Sequence, residues 1–131
     1  MNKFILYDTK HEFFPNPENI QINRNGEVKL NGGWVKLEDS IYTKHDLVKT
    51  DDTPEKNKIY ADSSVFEFSF EVGHIEKMQG YFTFNNRDLS FEIVVINNKI
   101  PIISYSTFFK QIKNLKVIGT LQQDKHLLGE K

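Results

Sequence analysis

Alternating apolar and polar residues mark the clearest element of this chain, between Val65 and Val72. Phe66, Phe68, Phe70 and Val72 occupy one phase of the pattern, whereas glutamate and serine occupy the other. A period of two places successive side chains on opposite faces of a strand. The segment is therefore predicted to be a β-strand with one buried face and one solvated face.

Three further apolar runs follow this strand, at 81–84, 89–96 and 100–105. They predict a meander of antiparallel strands joined by short turns. Because paired residues must share a face of the sheet, we expect Phe84 to pair with Leu89. The next turn is predicted at Asn97–Asn98, which pairs Ile93 with Ile102.

Pro101 gives the last strand of this meander a special position. Proline has no backbone N–H, so it is confined to edge strands or to the unpaired side of a strand. The strand around Pro101 is therefore predicted to lie at a sheet edge. Since an exposed edge can pair with another strand, the protein is expected to be a monomer or a weak dimer through this edge.

An earlier hairpin is predicted from Ile20–Ile22 and Val28–Leu30. A three-residue loop pairs Ile22 with Val28 and makes Gly26 the left-handed residue of a bulge. Gly32-Gly33 is interpreted as a turn or bulge before a strand at 34–37. The segment 40–49 fits either a strand or a helical turn.

Helix is scarce in the pattern. Ser106 or Thr107 is predicted to cap one short helix over 107–113, which Asn114 ends. The run from Leu115 to Leu121 is predicted to be the final strand.

These elements define the predicted fold class. We expect a mainly β protein (β-rich α+β) with an antiparallel meander sheet of six to eight strands, curved or forming a half-open barrel. At 131 residues the chain suits one domain, predicted over 1–121, with 122–131 as a flexible tail.

Composition removes several function classes. The chain contains no cysteine, which excludes disulfide scaffolds, thiolate zinc sites and cysteine nucleophiles. Its 17 basic and 18 acidic side chains give a net charge of −1, so no global field favours nucleic acid or a membrane surface. Without an apolar run of signal-peptide or membrane-span length, we expect a cytoplasmic protein. The bias towards lysine, asparagine and isoleucine indicates a bacterial or phage source.

Catalytic and cofactor motifs give no positive signal. The sequence lacks GxxxxGK[ST], GxGxxG and GxSxG, so neither a phosphate loop nor a nucleophile elbow is predicted. The best local set of potential metal ligands is Glu71, His74 and Glu76, which we interpret as a solvated loop between strands. We therefore expect no catalytic residues, no metal site, no cofactor and no enzyme activity.

Charge is instead concentrated in one acidic segment. Residues 38–55 contain six acidic and two basic side chains, a local charge of −4. The segment includes one tyrosine and follows the single tryptophan. Carboxylates can steer a basic partner and aromatic side chains can anchor it. The predicted partner-binding residues are Trp34, Asp39, Tyr42, Asp46, Asp51, Asp52 and Glu55. The alternative is a loop kept soluble by its charges, with Trp34 in the core.

The favoured hypothesis is a small cytoplasmic inhibitor or immunity (antitoxin-like) protein. It would neutralise a basic partner, such as a toxin or a nuclease, by occlusion through the acidic surface. Two alternatives stay open: a β-barrel that binds a small apolar ligand among its eleven phenylalanines, and a small enzyme without a visible motif.

Overall fold

The computed structural model describes residues 4–96 and 100–128. Its contacts divide the chain into two compact units, residues 1–46 (unit 1) and 47–131 (unit 2). The single domain over 1–121 and the flexible tail stay predictions. Across the described residues, no helix combines the length and the apolar character needed to cross a membrane.

The predicted mainly β fold class is confirmed. All strand pairs in the described part of the chain are antiparallel, and its one α-helix is short. The strands are β1 Phe4–Asp8, β2 Glu27–Leu30, β3 Gly33–Lys36, β4 Tyr42–Thr50, β5 Lys58–Tyr60, β6 Ser64–Glu71, β7 Ile75–Asn85, β8 Ser90–Ile96, β9 Ile102–Ser104 and β10 Ile112–Thr120; the helix is α1 Tyr105–Phe108. Single-turn 3-10 helices cover Pro17–Asn19, Leu37–Asp39 and Lys125–Leu128. The ambiguous segment 40–49 thus contains most of strand β4.

Unit 1 contains two strand pairs. β1 pairs with residues 42–46 of β4, and β2 pairs with β3. The β2–β3 turn consists of Asn31 and Gly32, both with positive φ, as a two-residue hairpin turn of type I′ requires. Ile22 and Val28 form the expected bridge, and Gly26 has a φ of 74°. The earlier hairpin prediction is therefore confirmed in its pairing, although 20–22 forms only this single bridge.

Unit 2 is built on a five-stranded sheet in the order β10-β6-β7-β8-β9. Phe66, Phe68 and Phe70 on β6 are buried in its core, as the alternation predicts. Val72 was expected on the same buried face and is instead 40% exposed. The strand ends at Glu71, and Val72 belongs to the turn into β7, in which Gly73 has a positive φ.

The predicted strand registers in this sheet are wrong. Phe84 pairs with Phe91 rather than with Leu89, because Leu89 takes a positive φ in a longer turn. Ile93 pairs with Ile103 rather than with Ile102. The error at Phe84 is a shift of two positions, so the predicted residues still point to the correct face of the sheet. The error at Ile93 is a shift of one position, so Ile102 points away from the core. The turn predicted at 97–98 lies outside the described residues.

The prediction that Pro101 marks an edge strand is confirmed. β9 is the terminal strand of the sheet order, and it directly follows Pro101. The Pro101 carbonyl accepts a hydrogen bond from the N–H of Val95 at 2.8 Å, which needs no donor from proline. Dimerisation through this edge stays a prediction.

The short helix lies earlier than predicted, at Tyr105–Phe108 instead of 107–113. Ser104, not Ser106 or Thr107, is its N-cap, and its hydroxyl accepts the N–H of Thr107. The final strand correspondingly begins at Ile112.

Candidate functional site

Trp34 lies on the solvent-facing side of the β2–β3 hairpin. Val28 and Val35 pair on the other face, where Val28 is completely buried. Trp34 is 47% exposed, and the Nζ of its cross-strand neighbour Lys29 lies 5.8 Å from the ring centroid. The alternative reading, in which Trp34 belongs to the core, is wrong.

Glu38 and Asp39 lie in the 3-10 turn that joins β3 to β4. The Ser40 hydroxyl donates to the carbonyl of Leu37 at 2.7 Å and accepts the N–H of Tyr42 at 3.1 Å. These two hydrogen bonds of the Ser40 hydroxyl stabilise the turn. Both acidic side chains remain exposed.

An open groove of about 740 Å³ runs beside this turn, with every lining residue in unit 1. Its lining residues include Tyr42, Glu27 and Glu38. Two lysines, Lys36 and Lys44, also line it. The groove therefore offers an aromatic surface beside charges of both signs.

Asp46 is already in an ion pair. Its carboxylate lies 3.6 Å from the Nζ of Lys44, and the same ammonium lies 4.9 Å from the ring centroid of Phe4. Both charged side chains are largely exposed, so this pair adds little to stability. It does offset the charge that Lys44 brings to the groove.

Asp51 has a structural position that the sequence did not reveal. It is 1% exposed, and its carboxylate accepts hydrogen bonds from the Thr53 hydroxyl at 2.7 Å, the Asn57 N–H at 3.0 Å and the Val117 N–H at 3.1 Å. Burial alone would raise the pKa of Asp51, but these hydrogen bonds outweigh it and lower the pKa to about 2. We therefore leave Asp51 out of the proposed contact surface.

Asp52 is bonded to the same strand. Its N–H donates to the carbonyl of Leu115, and its carboxylate accepts the N–H of Leu115, both at 2.8 Å. The β6–β10 ladder shifts register between Lys113 and Lys116, which frees the backbone of Leu115 from β6. Asp52 thus supplies partners for groups released by a β-bulge. Glu55, in the same loop, is exposed.

The seven predicted contact residues are therefore divided between the units. Trp34, Asp39, Tyr42 and Asp46 lie in unit 1, whereas Asp51, Asp52 and Glu55 lie in unit 2. Within unit 1, Tyr42 lines the groove and Asp39 adjoins Glu38, which also lines it. A partner-binding role for these side chains stays a prediction.

The set Glu71, His74 and Glu76 is divided between a histidine–carboxylate contact and a lysine–carboxylate ion pair. His74 Nε2 lies 2.9 Å from a Glu76 oxygen, whereas Glu71 lies 2.9 Å from the Nζ of Lys113. In the part of the chain that the structure describes, no group of three or more potential ligands could hold a metal ion.

One side-chain pair, Asp8 with His11, was missed from the sequence. Asp8 Oδ1 accepts the N–H groups of Lys10 and His11, and Oδ2 lies 2.9 Å from His11 Nδ1. Burial would raise the pKa of Asp8, but the contacts with His11 and Lys10 lower it overall. The available signal was an Asp at a strand end, where its side chain commonly bonds the backbone that follows.

The phenylalanine-rich interior of unit 2 is closely filled. The ring centroids of Phe66 and Phe82 lie 4.9 Å apart, and the Tyr105 ring lies 5.0 Å from Phe82 at a nearly perpendicular angle. All three phenylalanines of the central cluster, Phe66, Phe68 and Phe82, are at most 2% exposed. This packing favours a filled core over an internal ligand pocket.

Comparisons with protein-family models, with curated proteins and with solved structures find no match for this chain.

Proposed function

We propose that this protein is a protein-binding module that neutralises a basic partner, such as a toxin or a nuclease, by occlusion. The exposed Trp34 carries the proposal, because tryptophan is enriched among the residues that dominate binding energy. We place the contact surface in unit 1, around Trp34, Glu38, Asp39 and Tyr42, and call it the acidic face.

Charge supports a basic partner for this face. Glu38 and Asp39 are exposed, and within the described residues neither forms an ion pair. Of the two lysines that line the groove, Lys36 and Lys44, the second is offset by Asp46. Unpaired surface carboxylates accelerate encounter with a basic protein, and this effect weakens as salt rises.

The proposal also includes the source and the cellular location of the protein. A bacterial, cytoplasmic protein without a catalytic motif fits an inhibitor or immunity role, in which one copy of the protein covers the active site of its partner.

A salt-dependent capture experiment tests the proposal. The tagged full chain is incubated with lysate of the source cells, and separately with the co-expressed product of the neighbouring gene. We expect one basic protein to bind in stoichiometric amount at low salt, to be released at high salt and to be inactive in the complex. Trp34→Ala should weaken binding by roughly thirtyfold.

Charge reversal locates the surface. The double variant Glu38→Lys/Asp39→Lys should slow association and remove most of its salt dependence. The matched control is Glu12→Lys/Glu18→Lys, which reverses two exposed carboxylates elsewhere in unit 1. If both variants bind the partner like the unmodified chain, or if the control loses binding equally, the acidic face is not the contact surface.

A further inference from the structure

The sequence contains two asparagines that directly precede a glycine, Asn25 before Gly26 and Asn31 before Gly32. An asparagine in this position can lose its side-chain amide without an enzyme, because the main-chain nitrogen of the next residue attacks the side-chain carbonyl carbon. Glycine presents the least hindered nitrogen, since it has no side chain. Both pairs lie in turns of unit 1, so the chain offers two candidate modification sites.

Access does not distinguish the two pairs. All four residues are exposed. A Cβ atom built on either glycine would have no heavy atom within 4 Å, so neighbouring side chains hinder neither nitrogen. The hydrogen bonds of the attacking nitrogen, and of the turn around it, therefore decide which asparagine reacts.

The turn at Asn25-Gly26 is held by hydrogen bonds on both sides of the reacting atoms. The Gly26 N–H donates to the carbonyl of Asn23 at 3.1 Å. The side-chain Oδ1 of Asn23 accepts the N–H groups of Asn25 and Glu27, each at 2.9 Å. Attack by the Gly26 nitrogen would have to break its own hydrogen bond within this network, which slows the reaction at Asn25.

The turn at Asn31-Gly32 lacks such a network. A β-turn is closed by a hydrogen bond from the N–H of its fourth residue to the C=O of its first residue, here the paired residues Gly33 and Leu30. The Gly32 N–H takes no part in that bond. In the part of the chain that the structure describes, neither this N–H nor the Asn31 side chain forms a hydrogen bond. The attacking nitrogen and the amide that it attacks are thus both free to approach each other.

We propose that Asn31 is a site of spontaneous deamidation. The Gly32 nitrogen gives its proton to hydroxide or another base and forms a bond to Cγ of Asn31. The Cγ–Nδ2 bond breaks, and the NH₂ group takes up a proton and leaves as ammonia. Water then opens the five-membered succinimide ring at one of its two carbonyl carbons, which yields aspartate or isoaspartate. No atom is oxidised or reduced, so water and a base are the only co-reactants.

Either product changes the hairpin that carries Trp34. Each adds one negative charge to the β2–β3 turn, two positions from Lys29. Aspartate tolerates a positive φ, so the turn can persist with that product. Isoaspartate carries the main chain through the side-chain carbon, which lengthens a turn that has only two central residues. Because the reaction depends on the turn alone, the inference does not depend on the proposed function.

Peptide mass spectrometry of the full chain tests the inference. The folded protein is incubated in mildly alkaline buffer and sampled over time, and a sample digested without incubation sets the background. Trypsin cleaves after Arg24, Lys29 and Lys36, so the two Asn-Gly pairs fall in separate peptides. We expect Asn31 to deamidate roughly tenfold faster than Asn25, because attack at Asn31 breaks no hydrogen bond of the nitrogen.

The same incubation in guanidinium chloride is the control, since it unfolds both turns. There the two rates should approach each other. Equal rates in the folded protein, or a faster reaction at Asn25, would overturn the inference. A difference that persists unchanged in guanidinium chloride would also overturn it, because the neighbouring sequence rather than the turn would then set the rates.

A variant checks the protecting network. Asn23→Ala removes the Oδ1 atom that accepts two N–H groups of the first turn, so deamidation at Asn25 should become roughly threefold faster or more, whereas the rate at Asn31 should stay unchanged. The matched control is Asn16→Ala, which removes an Oδ1 atom bonded to the N–H of Glu18 and should change neither rate. If Asn23→Ala leaves the rate at Asn25 unchanged, hydrogen bonding does not protect that pair and the inference fails. The comparison of the folded and the unfolded unmodified chain remains decisive if Asn23→Ala does not fold.

Discussion

Two pairs of adjacent acidic residues in this chain differ in what their carboxylates bind. Glu38 and Asp39 are exposed on unit 1, and within the described residues neither side chain forms an ion pair. Asp51-Asp52 in unit 2 binds backbone N–H groups of β10. The difference shows that local acidity does not identify a binding surface. What decides is whether the fold brings unpaired backbone donors to the carboxylates.

The shape of β10 explains why Asp51 and Asp52 bind backbone groups. β10 has two register shifts against β6, and Asn114 within it has a positive φ of 59°. Those irregularities turn the backbone of Leu115 and Val117 towards Asp51 and Asp52. A surface loop with the charge of a partner-binding segment thus becomes a structural link in the core of unit 2.

The largest expected effect is the loss of the Asp51 carboxylate. In Asp51→Asn one oxygen becomes an NH₂ group, although the partners at Thr53, Asn57 and Val117 are all donors. We expect the free energy of unfolding to fall by roughly 2 to 4 kcal/mol. Urea unfolding at pH 7 measures this.

The matched control is Asp39→Asn, an exposed carboxylate in the other pair. We expect it to change the free energy of unfolding by no more than about 0.5 kcal/mol. Equal effects of the two substitutions would contradict the contrast between the pairs.

A smaller, pH-dependent effect should follow from the same carboxylate. The pKa of Asp51 is about 2 in the folded protein against 3.8 for an ordinary aspartate. Between these values the unfolded chain binds more protons, so the stabilisation is complete above pH 3.8 and is lost as the pH falls through about 2. The difference in stability between the unmodified chain and Asp51→Asn should therefore narrow over this range.

Urea unfolding of both proteins at several pH values measures that narrowing. Because Asp8 also has a lowered pKa, acid weakens both proteins, and only their difference reports on Asp51. A difference that stays constant down to pH 2 would show that the Asp51 hydrogen bonds do not favour its ionised form.

The sequence could predict what depends on neighbours in the chain. The alternation around Phe66 is local, and so is the left-handed position of Gly26. The register of β7 against β8 could not be predicted from the sequence. It depended on Leu89 adopting a positive φ, a conformation that is uncommon for residues other than glycine.

The role of Asp51 could not be predicted for a similar reason. Its bonded partner Val117 lies 66 positions away, on β10, the terminal strand of the sheet. Trp34 is an intermediate case, since the phase of Val28 and Val35 in the hairpin fixes its outward direction once the turn at Asn31–Gly32 is known.

The smallest expected effect on stability concerns Asp52. Its side chain is exposed, and its carboxylate accepts the Leu115 N–H. Asp52→Ala removes that acceptor, but water can replace it and the backbone bond from Asp52 to Leu115 remains. We therefore expect a loss of about 1 kcal/mol or less in the free energy of unfolding, too small to identify the contact by global unfolding alone.

Amide hydrogen exchange measures the effect locally. In Asp52→Ala the Leu115 N–H should exchange faster, whereas the Val117 N–H, which is bonded to Asp51, should keep its rate. Glu38→Ala, the corresponding change in the surface pair, should alter neither rate. Unchanged exchange at Leu115 in Asp52→Ala would mean that Asp52 belongs with the surface carboxylates after all, and only Asp51 would distinguish the two pairs.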